Sequence, residues 1–516
     1  MKKLHYIIIF FYFGLSSCKK VIDLYPESNL NTGTFYSNND EVKAGLTGCY
    51  NGMQAPMSRE WQFTELRSDN SYMGSTGSTN SFNRDLSDLD EFIPATTNDG
   101  LYQYWLDTYY NIRSCNIVLQ KLGVNYDPAT GAISLSNIAI PISDANRKQY
   151  AGEALFIRAY HYFNLVRLYG GVFLIHTPVS PTASKTMNRA SVDDIYKLIV
   201  ADLSTAATFM NGLKFNQVPA ADKGRATSWA AKALLGKVYL TQNKKAEAIA
   251  QLQDVVSNSG YGLQATYAGV FSITGELNNE IIFTIGYKAG GFGLGSPFGN
   301  TFGPLGSSSD VINGSGSGWN TPSSSIDSAY TTADSLRRKV TIAKYKAGTP
   351  QEVVYVKKYL TPVTITFDGE SDWPIIRYAD VLLMLAEAQG NTATSVGYIS
   401  QVRVRAGLPS ITGPLVSTAD FEKELTEQRR LEFAFENQRW FDLLRYKTTL
   451  STIDPLQILK DHFAYEYVSH YSTYTAPTPT IAFLQGNVTV DKLLLPIPQH
   501  EIDTNTQLVI QQNPGY

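Results

Sequence analysis

The segment from Phe421 to Tyr446, FEKELTEQRRLEFAFENQRWFDLLRY, restricts the possible folds of this chain more than any other feature. Its 26 residues contain no Gly or Pro and many strong helix formers, which predicts a single helix of about seven turns. Large apolar residues are distributed around most of the helix circumference, so we expect the helix to be buried on several sides. Such a helix requires other helices to pack around it.

Four charged residues of the same segment, Arg429, Glu432, Glu436 and Arg439, are spaced to share one helix face. This spacing predicts a ladder of alternating ion pairs along the helix. Because apolar residues flank this face, the charges must be paired in order to remain buried. We interpret the ladder as a structural feature that fixes the packing of the helix, and not as a pair of catalytic carboxylates.

The composition is that of a folded protein without a strong charge bias: 43% of residues are hydrophobic and the net charge is −3. Nothing in this balance indicates a nucleic-acid partner. Aromatic residues reach 12%, and Tyr and Trp commonly form contact surfaces, including platforms for sugar rings. With only three Cys the chain is not a disulfide scaffold, and we expect Cys49 and Cys115 to be buried.

The N-terminus has the pattern of a bacterial lipoprotein signal. A basic start is followed by the apolar run Tyr6–Phe13 and by the sequence LSSC, which ends at Cys18. The apolar run is too short to cross a bilayer as a helix, which needs roughly 20 residues. We therefore predict a signal peptide over residues 1–17 that is removed, and a mature protein that begins at lipidated Cys18.

Two regions, about 146–260 and 375–446, show the spacing of apolar residues that is typical of helices. Within the first, Gly236 and Leu252 occupy positions typical of a tetratricopeptide helix pair, in which a small residue lets two antiparallel helices approach closely. We predict a mainly α fold with about four such helix pairs and few short strands.

Three regions, about 53–95, 262–370 and 448–516, are rich in turn-forming residues, which predicts loops. Binding residues concentrate in loops that a rigid body positions. The acidic residues of Asp85–Glu91 lack the spacing of a calcium loop, so we interpret them as a solvated loop. No phosphate loop or nucleophile elbow is present, and we predict no cofactor, no metal site and no catalysis.

Two tryptophans, Trp61 and Trp319, lie in polar, loop-like surroundings. A sugar ring has an apolar C–H face and a rim of hydroxyls, so a glycan site needs flat aromatic surfaces flanked by polar side chains. The candidate ligand residues are Trp61, Arg67, Asp69, Asn70, Tyr72, Trp319 and Asn320. The alternative for Trp61 is that it packs into the core beneath the loops.

Several segments resemble motifs of the SusD/RagB family of outer-membrane nutrient-binding lipoproteins of Gram-negative bacteria. These segments, which extend from one end of the chain to the other, are Cys18–Asp23 (CKKVID), Glu153–Val172 (EALFIRAYHYFNLVRLYGGV), Ile375–Ala388 (IIRYADVLLMLAEA), Gln401–Pro409 (QVRVRAGLP), Arg429–Tyr446 (RRLEFAFENQRWFDLLRY), Leu493–Ile502 (LLLPIPQHEI) and Asn513–Tyr516 (NPGY).

The resemblance implies a single SusD-like domain over residues 18–516, with four tetratricopeptide-like units and a looped ligand face. It also implies a lipid-anchored protein on the outer membrane that faces the cell exterior. The implied partner is a SusC-like TonB-dependent transporter, over which the lipoprotein sits as a substrate-binding lid. Because ligands of this family are usually glycans, we expect the protein to bind an oligosaccharide and deliver it to the transporter.

Three alternatives stay open. One is a RagB-like lid that binds peptides. Another is a glycoside hydrolase, which would need two carboxylates roughly 5–10 Å apart across a cleft, although no motif identifies such a pair. The third is a scaffold that only holds the transporter. An aromatic-lined loop face favours ligand binding, and a featureless loop face favours the scaffold.

Overall fold

A computed structural model describes residues 35–74, 81–474, 478–505 and 507–516. The predicted signal peptide and the lipidated Cys18 lie outside these residues. Within the described ranges, no helix is both long enough and apolar enough to cross a membrane.

The chain is mainly helical, as the sequence predicts. In chain order the α-helices are α1 (Asn39–Asn51), α2 (Gln54–Thr64), α3 (Ser81–Asp90), α4 (Asp99–Lys121), α5 (Asp144–Tyr169), α6 (Pro181–Ser184), α7 (Val192–Phe209), α8 (Ser228–Thr241), α9 (Lys245–Asn258), α10 (Tyr267–Val270), α11 (Phe298–Phe302), α12 (Ser324–Ala329), α13 (Ser335–Thr341), α14 (Tyr378–Gln389), α15 (Ala393–Arg405), α16 (Thr418–Glu432), α17 (Arg439–Thr449), α18 (Pro455–Glu466), α19 (Ile481–Asn487) and α20 (Gln499–Thr504).

Among the residues that the structure describes, the strands are short and form four antiparallel pairs. The pairs are β1 (Ser71–Tyr72) with β5 (Thr321–Pro322), β2 (Val124–Tyr126) with β3 (Ile133–Leu135), β4 (Ile281–Ile285) with β8 (Trp373–Arg377), and β6 (Ile342–Tyr345) with β7 (Val353–Val356).

Successive helix pairs pack side by side to form the body of the protein. Helix α5 packs on α7, α7 on α8, α8 on α9, α9 on α14, and α14 on α15. At the contact between α8 and α9, a Cβ added at Gly236 would lie 2.6 Å from Cδ2 of Leu252. A larger residue would force the Leu252 side chain to shift, so the close approach of the two helices supports the interpretation of this pair as a tetratricopeptide-like unit.

The prediction of one helix over Phe421–Tyr446 is wrong. The segment forms α16 and α17, and between them Phe435 and Asn437 have positive φ values of 64° and 58°. Helix α16 packs on α14 and α15, whereas α17 packs on α8 and α18. The break therefore lets one hydrophobic segment contribute to two different parts of the core.

Hydrogen bonds from distant residues hold this break. The Lys358 ammonium donates to the carbonyl oxygen of Ala434 (2.7 Å), and the Tyr359 hydroxyl donates to that of Phe435 (2.8 Å). The backbone N–H of Asn437 donates to Oε1 of Glu65 (2.7 Å). These bonds replace those that a continuous helix would make, so local helix propensity is overridden by tertiary contacts.

The predicted ion ladder is correct in burial and wrong in its partners. Arg429 pairs with Asp442 and Asp380, each at 2.9 Å, and Arg439 pairs with Asp69 at 2.7 Å. The four charges of the segment do not pair with one another, because each meets other partners in the folded protein.

Glu432 and Glu436 instead belong to a larger group, which we call the central charge cluster. It contains four cations and four anions, all buried, which are Arg337, Lys358, Arg377, Arg405, Glu280, Asp334, Glu432 and Glu436. These residues come from six separate parts of the chain between Glu280 and Glu436. The cluster therefore joins α13, β8, α15 and α16 through paired charges.

The prediction of a loop over 53–95 is also wrong, because α2 and α3 lie within it. Of its acidic residues, Asp90 and Glu91 are not solvated, being 1% and 3% exposed, whereas Asp85 and Asp88 are partly exposed. The Asp90 carboxylate accepts hydrogen bonds from the Met73 N–H (3.1 Å) and the Tyr471 hydroxyl (3.0 Å). Both Cys49 and Cys115 are buried, as predicted.

Candidate functional site

The low-complexity segment Lys288–Ser325 is held in a specific conformation by one buried amide. Nδ2 of Asn300 donates to the carbonyl oxygens of Asn313 and Ser315, each at 2.9 Å. Its Oδ1 accepts from the N–H of Phe367 at 2.8 Å. Asn300 is 1% exposed, so helix α11 is joined to the segments around Asn313–Ser315 and Phe367 at a point that water does not reach.

The glycines of this segment permit close backbone approach. A Cβ added at Gly316 would lie 2.1 Å from the carbonyl carbon of Gly303. At Gly314 the positive φ of 80° is a second requirement for glycine. The glycine-rich composition thus reflects packing between loops. We call this segment together with residues 361–371 the loop face.

Four large apolar side chains are exposed on the loop face. Phe292 is 70% exposed, Leu305 64%, Ile365 52% and Phe367 45%. We call these four residues the apolar band. They escaped the sequence analysis, although the glycines on both sides of Phe292 could have indicated its exposure.

Polar groups border the apolar band next to Phe292. The Asp368 carboxylate accepts hydrogen bonds from the N–H groups of Gly290 (2.8 Å) and Gly291 (2.9 Å). An exposed ion pair joins Lys288 and Glu370. This bond to Lys288 lowers the pKa of Glu370 below its ordinary value. The face thus offers apolar surface with charged groups at its edge.

The structure brings together Trp61 and Trp319, which lie far apart in the sequence. Strands β1 and β5 pair, and the two indole rings stack with centroids 6.3 Å apart and planes 15° apart. Trp61 is 1% exposed, so the alternative that it packs into the core is confirmed. Trp319 is partly exposed, and its Nε1 donates to Oδ1 of Asn83 at 3.2 Å.

Arg67, Asp69 and Asn70 do not lie on an exposed loop, since all three are buried. The Arg67 guanidinium lies 4.2 Å from the ring centroid of Trp440, and burial lowers its pKa to about 10. Oδ1 of Asn70 accepts from Nε of Arg430 at 2.8 Å. These side chains belong to the core beneath the face, because Nη2 of Arg67 donates to the carbonyl oxygen of Lys492 and Oδ1 of Asn70 is bound by Arg430.

The charge of Asp69 is also satisfied internally. Its carboxylate pairs with Arg439 at 2.7 Å and with Arg430 at 3.2 Å. Burial by itself raises the pKa of this carboxyl group, but the two arginines together lower it well below the ordinary value.

Tyr72 and Asn320 differ in exposure. Tyr72 is partly exposed and stacks on His470 with ring centroids 3.9 Å apart; burial raises its pKa to about 12. Asn320 is fully buried, and both polar atoms of its side chain have no hydrogen-bond partner among the described residues. Of the seven candidate residues, Trp319 and Tyr72 keep accessible ring surface.

Among the residues that the structure describes, no group of three or more potential ligands could hold a metal ion.

The chain matches two family models. Residues 279–516 match the model of the SusD family, and residues 22–240 match a SusD-like model described as starch-binding and associating with the outer membrane. Together the two models extend over most of the sequence.

Relatives of this family align over nearly the whole chain. SusD-like protein P25 of Formosa agariphila is 23% identical, and the alignment covers 99% of this chain and 98% of the relative. A SusD-like protein of Bacteroides ovatus is 25% identical, with 94% and 93% covered.

Solved structures with the same fold include two glycan-binding proteins. A laminarin-binding SusD-like protein is 25% identical, with a TM-score of 0.73 and coverage of 93% of this chain and 100% of the other. Surface glycan-binding protein A from Bacteroides thetaiotaomicron, in complex with laminarihexaose, is 20% identical, with a TM-score of 0.70 and coverage of 92% and 99%.

Proposed function

Because this chain belongs to the SusD family, we propose that it is a glycan-binding protein associated with the outer membrane. The observation that carries the proposal is the likeness to a laminarin-binding SusD-like protein over the whole length of that protein. A β-glucan oligosaccharide is accordingly the first ligand class to test.

The loop face is the proposed ligand site. The apolar band supplies exposed apolar surface for the C–H faces of sugar rings, including the flat rings of Phe292 and Phe367. Trp319 and Tyr72 add accessible aromatic rings at the junction of β1 and β5. Lys288 and Glu370 supply charged groups that can bond hydroxyls.

The finer parts of the proposal rest on the sequence. The mature chain, residues 18–516, is anchored through lipidated Cys18 and faces the cell exterior. It binds its ligand without catalysis and passes it to a SusC-like TonB-dependent transporter. These assignments are supported by the lipoprotein signal and the family motifs.

A glycan and peptide array probed with the protein lacking residues 1–18 tests the ligand class. Binding to glycans is expected; binding to peptides alone would favour the peptide lid, and release of shorter sugars would favour the hydrolase. Both of those results contradict the proposal.

Calorimetry with laminarihexaose then tests the site. Phe292→Ala or Trp319→Ala should cost about 1–3 kcal/mol of binding free energy, by analogy with bases stacked on aromatic rings. The control Val416→Ala, at a fully exposed position in the connection between α15 and α16, should leave binding unchanged. Unchanged affinity in both loop-face variants would place the site elsewhere.

A further inference from the structure

A second cleft, with a volume of about 440 Å³, lies between α4, the segment 173–187 and α20. It shares no lining residue with the loop face. On α4, Trp105 and Tyr109 are one helical turn apart, with ring centroids 5.0 Å apart, and Phe173 lies 5.9 Å from Trp105. These rings form an aromatic floor.

The rim of the cleft carries an exposed aromatic ring and charges. Tyr110 is 65% exposed, and Arg113 lies three residues further along the same face of α4. Lys185 faces the cleft from the segment 173–187, and Glu501 faces it from α20. Arg113 and Lys185 are exposed, whereas Glu501 is partly buried.

Within the described part of the chain, the side chains of Arg113, Lys185 and Glu501 form no ion pair and no hydrogen bond. The neighbouring Arg189 is different, because it donates to the carbonyl oxygens of Gly171 (2.7 Å) and Gln511 (2.6 Å). Burial raises the pKa of Glu501, and the neighbouring His500 opposes this rise only in part. A partly buried carboxylate without a partner gains from a cationic ligand.

We propose that this cleft binds a small zwitterion with a large apolar side chain, of the α-amino-acid class. The ammonium group lies at Glu501, the carboxylate lies at Arg113 and Lys185, and the side chain covers the aromatic floor. The volume falls in the range of small-ligand sites, which is about 300–1,000 Å³.

The charges distinguish this ligand from a neutral sugar. A sugar would leave the Glu501 carboxylate and both cations without opposite charges, although it could cover the rings. An apolar ammonium ion alone would meet Glu501 but would be repelled by the two cations. Of these ligands, only a molecule with both charges gives each of the three charged side chains an opposite charge.

Calorimetry with phenylalanine, N-acetylphenylalanine and phenylalaninamide tests the proposal on the protein lacking residues 1–18. Saturable binding of phenylalanine is expected, and each blocked analogue should bind at least about tenfold more weakly, because charge-assisted hydrogen bonds are lost. Absence of saturation up to about 10 mM phenylalanine, which corresponds to a binding free energy weaker than about −3 kcal/mol, would overturn the proposal. Equal binding of all three compounds would do the same.

Two variants locate the site. Glu501→Gln keeps the shape of the side chain and should weaken phenylalanine about tenfold without further weakening N-acetylphenylalanine. Arg113→Gln should weaken the binding of phenylalanine about tenfold without weakening that of phenylalaninamide, which has no carboxylate for Arg113 to bind.

Phe292→Ala on the loop face is the matched control and should leave phenylalanine binding intact. Unchanged affinity in Glu501→Gln, or displacement of phenylalanine by laminarihexaose, would show that the cleft is not a separate amino-acid site. A failure of laminarihexaose binding alone would count against the proposed function and not against this cleft.

Discussion

Replacing Glu432 with Gln removes one charge from the centre of the protein. The Glu432 side chain is fully buried and contacts three arginines: Arg377 at 2.9 Å, Arg337 at 3.6 Å, and Arg405. The ion ladder predicted from the sequence would have left Arg429 or Arg439 without a partner in this variant. The structure assigns the loss to the three other arginines, which leaves four cations facing three anions in the central charge cluster.

The expected loss of stability is about 3 kcal/mol. Removing one member of a buried ion pair costs about 3–5 kcal/mol, because a charge is left uncompensated. The lower value applies here because Glu280 still contacts both Arg377 and Arg405, each at 2.7 Å. Denaturant unfolding monitored by circular dichroism measures the loss as a shift of the midpoint at unchanged slope.

The matched control is Asp144→Asn, which removes the exposed ion pair with Lys148. That pair has side chains 70% and 44% exposed, so its loss should have little effect on the free energy of unfolding. If Glu432→Gln cost no more than this control, the cluster would not act as a set of buried, mutually dependent charges.

The pH dependence supplies a second readout. Burial alone raises the pKa of Glu432, but Arg405, Arg377 and Arg337 lower it from 4.5 to about 2. A carboxyl group with a lowered pKa stabilises the folded state above pH 4.5 and loses this contribution as the pH falls towards 2. The difference between the parent and Glu432→Gln should therefore shrink over that interval. A difference that stays constant would refute this assignment.

Three further predictions concern the anchor, the helix pair and a buried acid. Cys18→Ala should leave the protein soluble in the periplasm, as cell fractionation would show; continued membrane association would contradict lipidation at this residue. Gly236→Ala should destabilise the protein by about 1–3 kcal/mol, because the added methyl group overpacks against Leu252. In the control Gly397→Ala the added Cβ meets nothing within 4 Å, so this change should stabilise its helix by roughly 0.5–1 kcal/mol. Equal effects of the two changes in thermal melts would contradict the contact between Gly236 and Leu252. Burial raises the pKa of Glu65 from 4.5 to about 8, so ionisation of this acid lowers the stability of the folded protein as the pH rises between those values. The stability of Glu65→Gln relative to the parent should therefore be about 1–3 kcal/mol greater at pH 8 than at pH 5. A difference between variant and parent that is independent of pH would contradict this assignment.

The sequence by itself determined the helical body and the family. Periodic apolar residues predict the helix pairs, and Gly236 marks the contact between α8 and α9. The charges between Arg429 and Arg439 are correctly predicted to be buried. The helix pairs and the burial of these charges depend on residues a few positions apart, and helix periodicity records such relationships directly.

Only the tertiary structure decided which groups meet. Arg439 pairs with Asp69, 370 positions away in the chain, and the break near Asn437 depends on Glu65. The exposure of Phe292 and the burial of Trp61 follow from how loops pack on the helical body. No local pattern contains this information, because burial and pairing are fixed by contacts between segments that the sequence separates.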